Sequence, residues 1–411
     1  MKEILEQTKK ELHIDRTGWK LVKFSDVAIQ QKESVDREKT DITRYIKGEH
    51  MSSEDLHLRE WGELKDEYLG PAFIRKFEKG DILYGSRRTY LRKVTIAPFE
   101  GITSNTTFVI KANENLIHKK LLPFVMLSEG FSEHSIRNSK GSVNPYINWK
   151  DIANYEFLLP PKDQQAQLAE LLWAMDEVIE KEVEVLENAI LLRDINREKL
   201  YTYGINALKK NESTKTKNGK IGLIRADFNE IKFFDCVEIK SGQVDPTKEE
   251  YANLYQIGSE RIEANTGRIT ELKTAKELNI TSGNYLFSED DIIYSKIRPY
   301  FKKVANPNFK GLCSADIYPL RVKVELISKE YLFYYLLTEK FTRKLLRFQN
   351  RTGMPKVNRD ELGSMYIPYP NKDEQKEIVK ILQKIDETLN SNQNKINSSK
   401  SLQKSLINQV F

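Results

Sequence analysis

Five histidines, two cysteines and one Asn-Pro-Tyr triplet are the residues best able to do chemistry here, and their spacing assembles no reaction centre. His13, His50, His57, His118 and His134 are scattered along the chain. His50 and His57 stand near Glu49, Glu54 and Asp55, which reads as a solvated polar loop rather than a metal cluster. Cys236 and Cys313 fit no zinc spacing and no disulfide framework, so both read as core thiols of a reducing compartment. Asn144-Pro145-Tyr146 superficially resembles an amino-methyltransferase tetrapeptide. The second proline is missing and no glycine-rich cofactor loop precedes it, so it reads as a turn ahead of Ile147 and Asn148. There is no Gly-x-x-x-x-Gly-Lys-Ser/Thr phosphate loop, no His-Glu-x-x-His and no convincing acidic nuclease set. No nucleophile, base and oxyanion site come together. The expectation is a chain with no catalytic residue, no cofactor and no metal.

The basic residues are better placed. Arg87, Arg88, Tyr90, Arg92 and Lys93 follow the strand-like Ile82-Leu83-Tyr84. Lys296, Arg298, Tyr300, Lys302 and Lys303 follow Ile292-Ile293-Tyr294 in the same way. Arginine and lysine bind phosphates as charges, and arginine can also fork onto guanine O6 and N7. A tyrosine between them can stack or donate to a phosphate. A further run holds Lys340, Arg343, Lys344, Arg347, Arg351, Lys356 and Arg359, with no acidic residue among them. Such a run needs a counter-charge, and duplex phosphate is a ready one. The matching stretch of the first half carries only Arg137 and Lys140, against Glu133. A solvated hairpin is the plain alternative for the loop clusters.

Two long helical stretches frame these clusters. Pro160-Pro161-Lys162-Asp163-Gln164-Gln165 opens a run with no further proline or glycine up to Tyr203. Leu168, Leu172, Met175, Ile179, Val183, Leu186 and Ile190 recur at steps of three and four, which places them on one face of a helix. About 40 residues make a rod of roughly 60 Å. Pro370-Asn371-Lys372-Asp373-Glu374-Gln375 opens a second such run, with Ile378, Leu382, Ile385 and Leu389 in the corresponding places. These faces are expected to pack as a coiled coil, parallel or antiparallel.

The repeat extends beyond the rods. Tyr84, Arg88, Tyr90 and Lys93 match Tyr294, Arg298, Tyr300 and Lys303, a constant offset of 210 residues (84 to 294). Phe24, Tyr45, Gly101, Pro145 and Asn148 match Phe234, Tyr255, Gly311, Pro355 and Asn358 at the same offset. A shared frame over so many sites indicates a duplicated fold. Gly48–Gly62 and Gly258–Leu272 bear little likeness, so the scaffold repeats while parts of its surface do not. The expected layout is a mixed α/β domain at 1–160 with a short N-terminal helix at 1–13, a rod at 161–204 and a linker at 205–220. A second domain at 221–369 and a second rod at 370–411 complete it.

A chain of 411 residues suits two or three domains. Its 39% apolar content supports cores, and its 31% charged content agrees with long solvated helices. The net charge of +6 leans weakly toward a polyanion partner. The start, Met1-Lys2-Glu3-Ile4-Leu5-Glu6, is charged and unlike a signal peptide. No window is long and apolar enough for a membrane span, so a cytoplasmic protein is expected.

These features together resemble the specificity (S) subunit of type I restriction-modification systems. The resemblance covers nearly the whole chain. It is carried by Gly80-Asp81-Ile82-Leu83-Tyr84, by Asp290-Asp291-Ile292-Ile293-Tyr294-Ser295-Lys296-Ile297-Arg298-Pro299-Tyr300, and by Gly353-Met354-Pro355-Lys356-Val357-Asn358. The two rod openings add to it. The first copy departs at Gly141-Ser142-Val143-Asn144-Pro145 and at Gly85, where the second has Ser295. The resemblance implies two target-recognition domains alternating with two long helices that form an antiparallel coiled coil. It implies a non-catalytic subunit that reads a bipartite double-stranded DNA target. Its partners would be two modification (methyltransferase) subunits and restriction/translocase subunits. S-adenosylmethionine, ATP and Mg2+ would belong to those partners. Two other classes stand against it: a freestanding methyltransferase or nuclease, and a coiled-coil scaffold that binds proteins alone.

Overall fold

The computed structural model describes residues 15–37, 39–66, 68–208, 214–347 and 355–411. The segment 1–13, expected as a helix, lies outside them. Two units make up the chain: Met1–Glu184 with Gln393–Phe411, and Val185–Asn392. Each unit thus holds one domain, the first half of the long helix that follows it, and the last half of the other long helix.

In the first unit, one antiparallel sheet runs in the order Ala28–Gln31, Thr107–Ala112, Ile82–Gly85, Val94–Ile96. A second sheet orders Gly62–Glu63, Arg44–Ile46, Gly101–Ser104 and Phe73–Phe77, with one parallel pairing of Tyr45 to Ile102. The second unit repeats both. Its first sheet runs Val237–Ile239, Ile317–Val322, Asp291–Ser295, Val304–Ala305, and its second again has one parallel pair, Gln256 to Leu312. Gly101 and Gly311 show why the repeated glycines are needed. A Cβ on either would lie 2.9 Å from Arg44 O or 2.8 Å from Tyr255 O, inside the parallel pairing.

A two-stranded ribbon closes each domain before its rod. Lys20–Lys23 pairs with Glu156–Leu159, and Asn229–Lys232 with Tyr366–Tyr369. The long helices then span Lys162–Tyr203 and Lys372–Val410. Their starts are fixed by a buried glutamine. Gln165 Nε2 donates to Pro160 O and Leu116 O while its Oε1 accepts from His118 N–H. Gln375 repeats the set with Pro370 O, Leu326 O and Ser328 N–H. The first helix stops at Gly204, whose φ of +68° is the left-handed conformation that ends helices.

Along the first helix the buried positions are Gln165, Ala169, Leu172, Asp176, Ile179, Leu186, Arg193, Arg197, Leu200, Tyr201 and Thr202. That is the seam of a coiled coil, although Ile190, expected on it, is 38% exposed. The direction is antiparallel. In the first unit Ser399 Oγ donates to Glu182 at 3.0 Å and Gln403 Nε2 to Asp176 at 3.3 Å, so one number falls as the other rises. Leu172 joins Leu406, Ile407 and Val410 in the core, with Leu168 and Met175 packed at its edge. In the second unit Leu200 and Tyr201 join Ile378 and Leu382, with Ile385 at the edge. Ile179, Leu186 and Leu389 are buried as well. The two repeated faces therefore share the seam, but antiparallel direction sets each against the far end of the other helix. Each buried leucine or isoleucine there contributes about 1.5–3 kcal/mol.

The segment 205–220, expected as a linker, carries some regular structure among its described residues. Gly204–Leu208 is a 3-10 turn, and Thr216–Gly219 pairs with Gly222–Arg225 as a hairpin. The hairpin was hidden because Thr216–Gly219 is polar and the buried side chains, Ile221 and Ile224, come only after it.

Candidate nucleic-acid interface

Each domain holds the same loop between two strands of its first sheet. After Ile82–Gly85 the chain passes through Arg88 at φ +51°, a short turn Thr89–Leu91, and Arg92 at φ +48°. After Asp291–Ser295 it passes through Arg298 at +47°, Pro299–Phe301 and Lys302 at +47°. Left-handed conformation costs a non-glycine residue about 1–2 kcal/mol, so four such residues at matched places persist only because neighbours enforce them. Backbone hydrogen bonds from a second segment enforce them. Arg88 N–H donates to Pro145 O at 2.6 Å, and Arg298 N–H to Pro355 O at 2.8 Å. Ile147 N–H donates to Ser86 O, and Val357 N–H to Lys296 O. A second segment is thereby zipped onto each loop, and Arg87, Arg88 and Tyr90, like Arg298 and Tyr300, stand exposed at its surface.

The far ends of these loops turn inward. The Arg92 guanidinium pairs with Glu54 at 2.5 Å and with Glu129, and its side chain is 16% exposed. Lys302 pairs with Glu339 at 2.7 Å and is 12% exposed. Glu129 and Glu339 open equivalent helices, Glu129–Arg137 and Glu339–Leu346. Their backbone N–H groups are met by Asn408 Oδ1 and by Glu198, residues of the long helices. Lys93 Nζ donates to Gly48 O and Lys303 Nζ to Ser259 O. These four cations hold the loop to its own unit.

The remaining candidates divide similarly. Arg137 pairs with Glu133, and Lys140 with Asp151 at 3.1 Å. Lys296 lies 5.0 Å from the Tyr318 ring centre, and Lys356 pairs with Asp316 at 3.2 Å. Burial, and then the positive charge of Lys356, push the Lys296 ammonium below its ordinary value. Burial and the charge of Arg88 do the same to Lys93. Burial is the larger cause in both, and Asp316 and Glu49 act against it. Arg343 is exposed on the helix Glu339–Leu346 and pairs with Glu339 at 3.6 Å, Lys344 is half-buried, and Arg347 is exposed just past the helix end. Lys340 is not available: its Nζ donates to Thr202 Oγ1 and Leu223 O, and burial pulls it down to about 8. Arg351 lies outside the described residues.

Sequence reasoning missed Asn144, whose Oδ1 accepts from Arg88 Nε at 3.0 Å. It also missed the carboxylates that claim Arg92 and Lys302. The pairing of Pro145 with Pro355 in the repeat was the one available pointer to the second segment. His50 and His57 do not converge. His50 Nδ1 accepts from Lys47 N–H, while His57 Nε2 lies 2.7 Å from Asp176 on the long helix. Among the described residues no group of three or more His, Cys, Asp or Glu is placed to hold a metal. Cys236 and Cys313 are buried free thiols.

His57 does give the first unit a pH dependence. Its hydrogen bond to Asp176 raises the imidazole above its ordinary value against the opposing effect of burial, with Glu180 and Asp55 adding to the rise. The folded value lies above the unfolded one, so the stabilisation is complete below about 6.5 and is lost as pH rises through the raised value. Thermal melts of the wild type should therefore lose stability from pH 6 to 8, and His57→Gln should flatten that slope. An unaltered slope would dismiss the pair as a stabiliser.

The family model for the type I restriction modification DNA specificity domain matches residues 16–189 and again 209–399. The chain is 29% identical over 265 residues to the EcoDI specificity subunit of Escherichia coli, covering 60% of this chain and 59% of that one. It is 27% identical over 378 residues to the MjaVIII specificity subunit of Methanocaldococcus jannaschii, covering 84% of each. In fold it is similar to the S subunit of a type I restriction-modification system from M. genitalium, with a TM-score of 0.53 at 14% identity, over 97% of this chain and 98% of that one. A chain from a structural study of type I R-M complex assembly and conformational transition gives 0.57 at 17%, over 96% and 97%. Two matches of one specificity model, one on each half of the sequence repeat, mean that this chain belongs to the type I restriction-modification specificity family, as a specificity subunit rather than a catalytic chain.

Proposed function

We propose that the chain recognises a bipartite DNA target, the first domain reading one half and the second domain the other, and directs methyltransferase and restriction subunits to it. The observation that carries this is the doubled loop. One exposed arginine, Arg88 or Arg298, is fixed in a left-handed conformation by a proline carbonyl in each unit, on a repeated scaffold whose surrounding surfaces differ. The helical rod between the domains would set the gap between half-sites. Two modification subunits would bring S-adenosylmethionine for adenine methylation, and restriction/translocase subunits would bring ATP and Mg2+. In this reading the chain acts without a catalytic residue of its own.

The test is binding by the assembled methyltransferase to specific and scrambled duplexes at matched salt. A bidentate arginine–guanine contact is worth about 1–3 kcal/mol of discrimination. Arg88→Ala and Arg298→Ala should therefore each weaken specific binding about 10- to 100-fold, and the two losses should add if the sites act independently. Folded variants with wild-type affinity for both duplexes would reject the loops as the reading elements.

A further inference from the structure

We infer that Asn144 is a specificity-determining positioning residue, which holds the Arg88 guanidinium so that its two terminal nitrogens face outward for a guanine. The inference rests on the reading that this loop contacts DNA. Arg88 offers five N–H donors in a planar fork. Asn144 Oδ1 occupies the inner one, Nε, at 3.0 Å, and leaves the outer edge for O6 and N7. A guanidinium held at Nε keeps its plane, so less rotamer freedom is lost when a base arrives.

The support for Asn144 is itself braced. Residues 139–147 are bonded to the arginine loop by Pro145 O to Arg88 N–H and by Ser86 O to Ile147 N–H. Arg87 and Tyr146 form an antiparallel bridge, and Ser139 Oγ lies 2.7 Å from Thr89 Oγ1. Loop and support thus move as one piece. Val143, beside Asn144 in sequence, is 92% exposed, so this tip is open to solvent. The repeat-equivalent position in the second domain is Met354, which carries no amide oxygen. The sequence therefore offers the second arginine no amide at this position, which would be one physical origin for unequal reading of two half-sites by one scaffold.

The experiment uses the full chain assembled with its modification subunit, and duplexes carrying each single base-pair change in the first half-site. Asn144→Ala should reduce discrimination at one guanine position about three- to tenfold, with the loss falling on the specific duplex. Asn144→Asp, which keeps an acceptor for Nε, should restore most of that discrimination while weakening all duplexes. In an Arg88→Ala background, Asn144→Ala should add nothing. If Arg88→Ala lowers discrimination but Asn144→Ala leaves it unchanged, the positioning role is overturned and the recognition loop stands. If Arg88→Ala has no effect either, the loop is not a reader and both readings fall. Equal additional loss from Asn144→Ala with and without Arg88 would also overturn it, since the residue would then act on its own.

Discussion

Replacing Glu374 by alanine is expected to destabilise the second unit by about 3–5 kcal/mol, the range for a buried ion pair that loses one partner. Glu374 opens the second long helix, where Asn371 Oδ1 caps its N–H at 2.9 Å. Its two oxygens accept from Arg225 Nη1 and Nη2, each at 2.6 Å, and the paired side chains are 9% and 11% exposed. Oε1 also accepts from Ile205 N–H at 3.0 Å, just past the end of the first long helix. One carboxylate thus ties a helix end, a hairpin and a helix start. Gly204 is required beside it, because a Cβ there would overlap both the carboxylate and the guanidinium. Alanine would leave Arg225 with Asp227, whose side chain is 68% exposed and is a poorer substitute. Denaturant unfolding checks this: the midpoint should fall steeply for Glu374→Ala, and Glu374→Leu with Arg225→Met should recover much of the loss. A shift below about 1 kcal/mol for the single variant would show that the pair does not hold this junction.

The rods and the repeat were legible because periodicity survives in a bare sequence. Steps of three and four place Leu172, Ile179 and Leu186 on one face whatever they pack against, and a constant offset exposes duplication. The partners of those faces were not legible, because periodicity is the same for parallel and antiparallel rods. Nor were the polar seam residues Asp176, Arg193 and Arg197, whose burial depends on distant groups. Asn265, for instance, accepts from Arg197 and donates to Asp194. The site was half legible for a similar reason. Arg88 and Arg92 are identical as letters, yet one faces solvent and the other lies between Glu54 and Glu129, residues far away in sequence. Only the fold separates an exposed guanidinium from one already paired with carboxylates. The left-handed turns were hidden too, since no glycine or asparagine marks them.

The largest functional effect is expected from shortening the rod. Removing Glu182 to Asn188 together with Asn392 to Ser398 deletes one heptad from each helix, roughly 10 Å of rise. A heptad deletion keeps the seam in phase, whereas a four-residue deletion rotates it. The pairing supports matched cuts, because Glu182 bonds Ser399, the residue that follows the second segment. Deleting only one segment would shift one helix by seven residues against the other on one side of the cut and should unfold the pair. At 3.4 Å per base pair, the lost rise corresponds to about three base pairs. The measurement is the methylated motif, read by sequencing DNA from cells that carry the variant with its modification subunit. The account predicts two unchanged half-sites separated by a gap shorter by about three base pairs. A folded, active variant that methylates the same half-sites across an unchanged gap would contradict it.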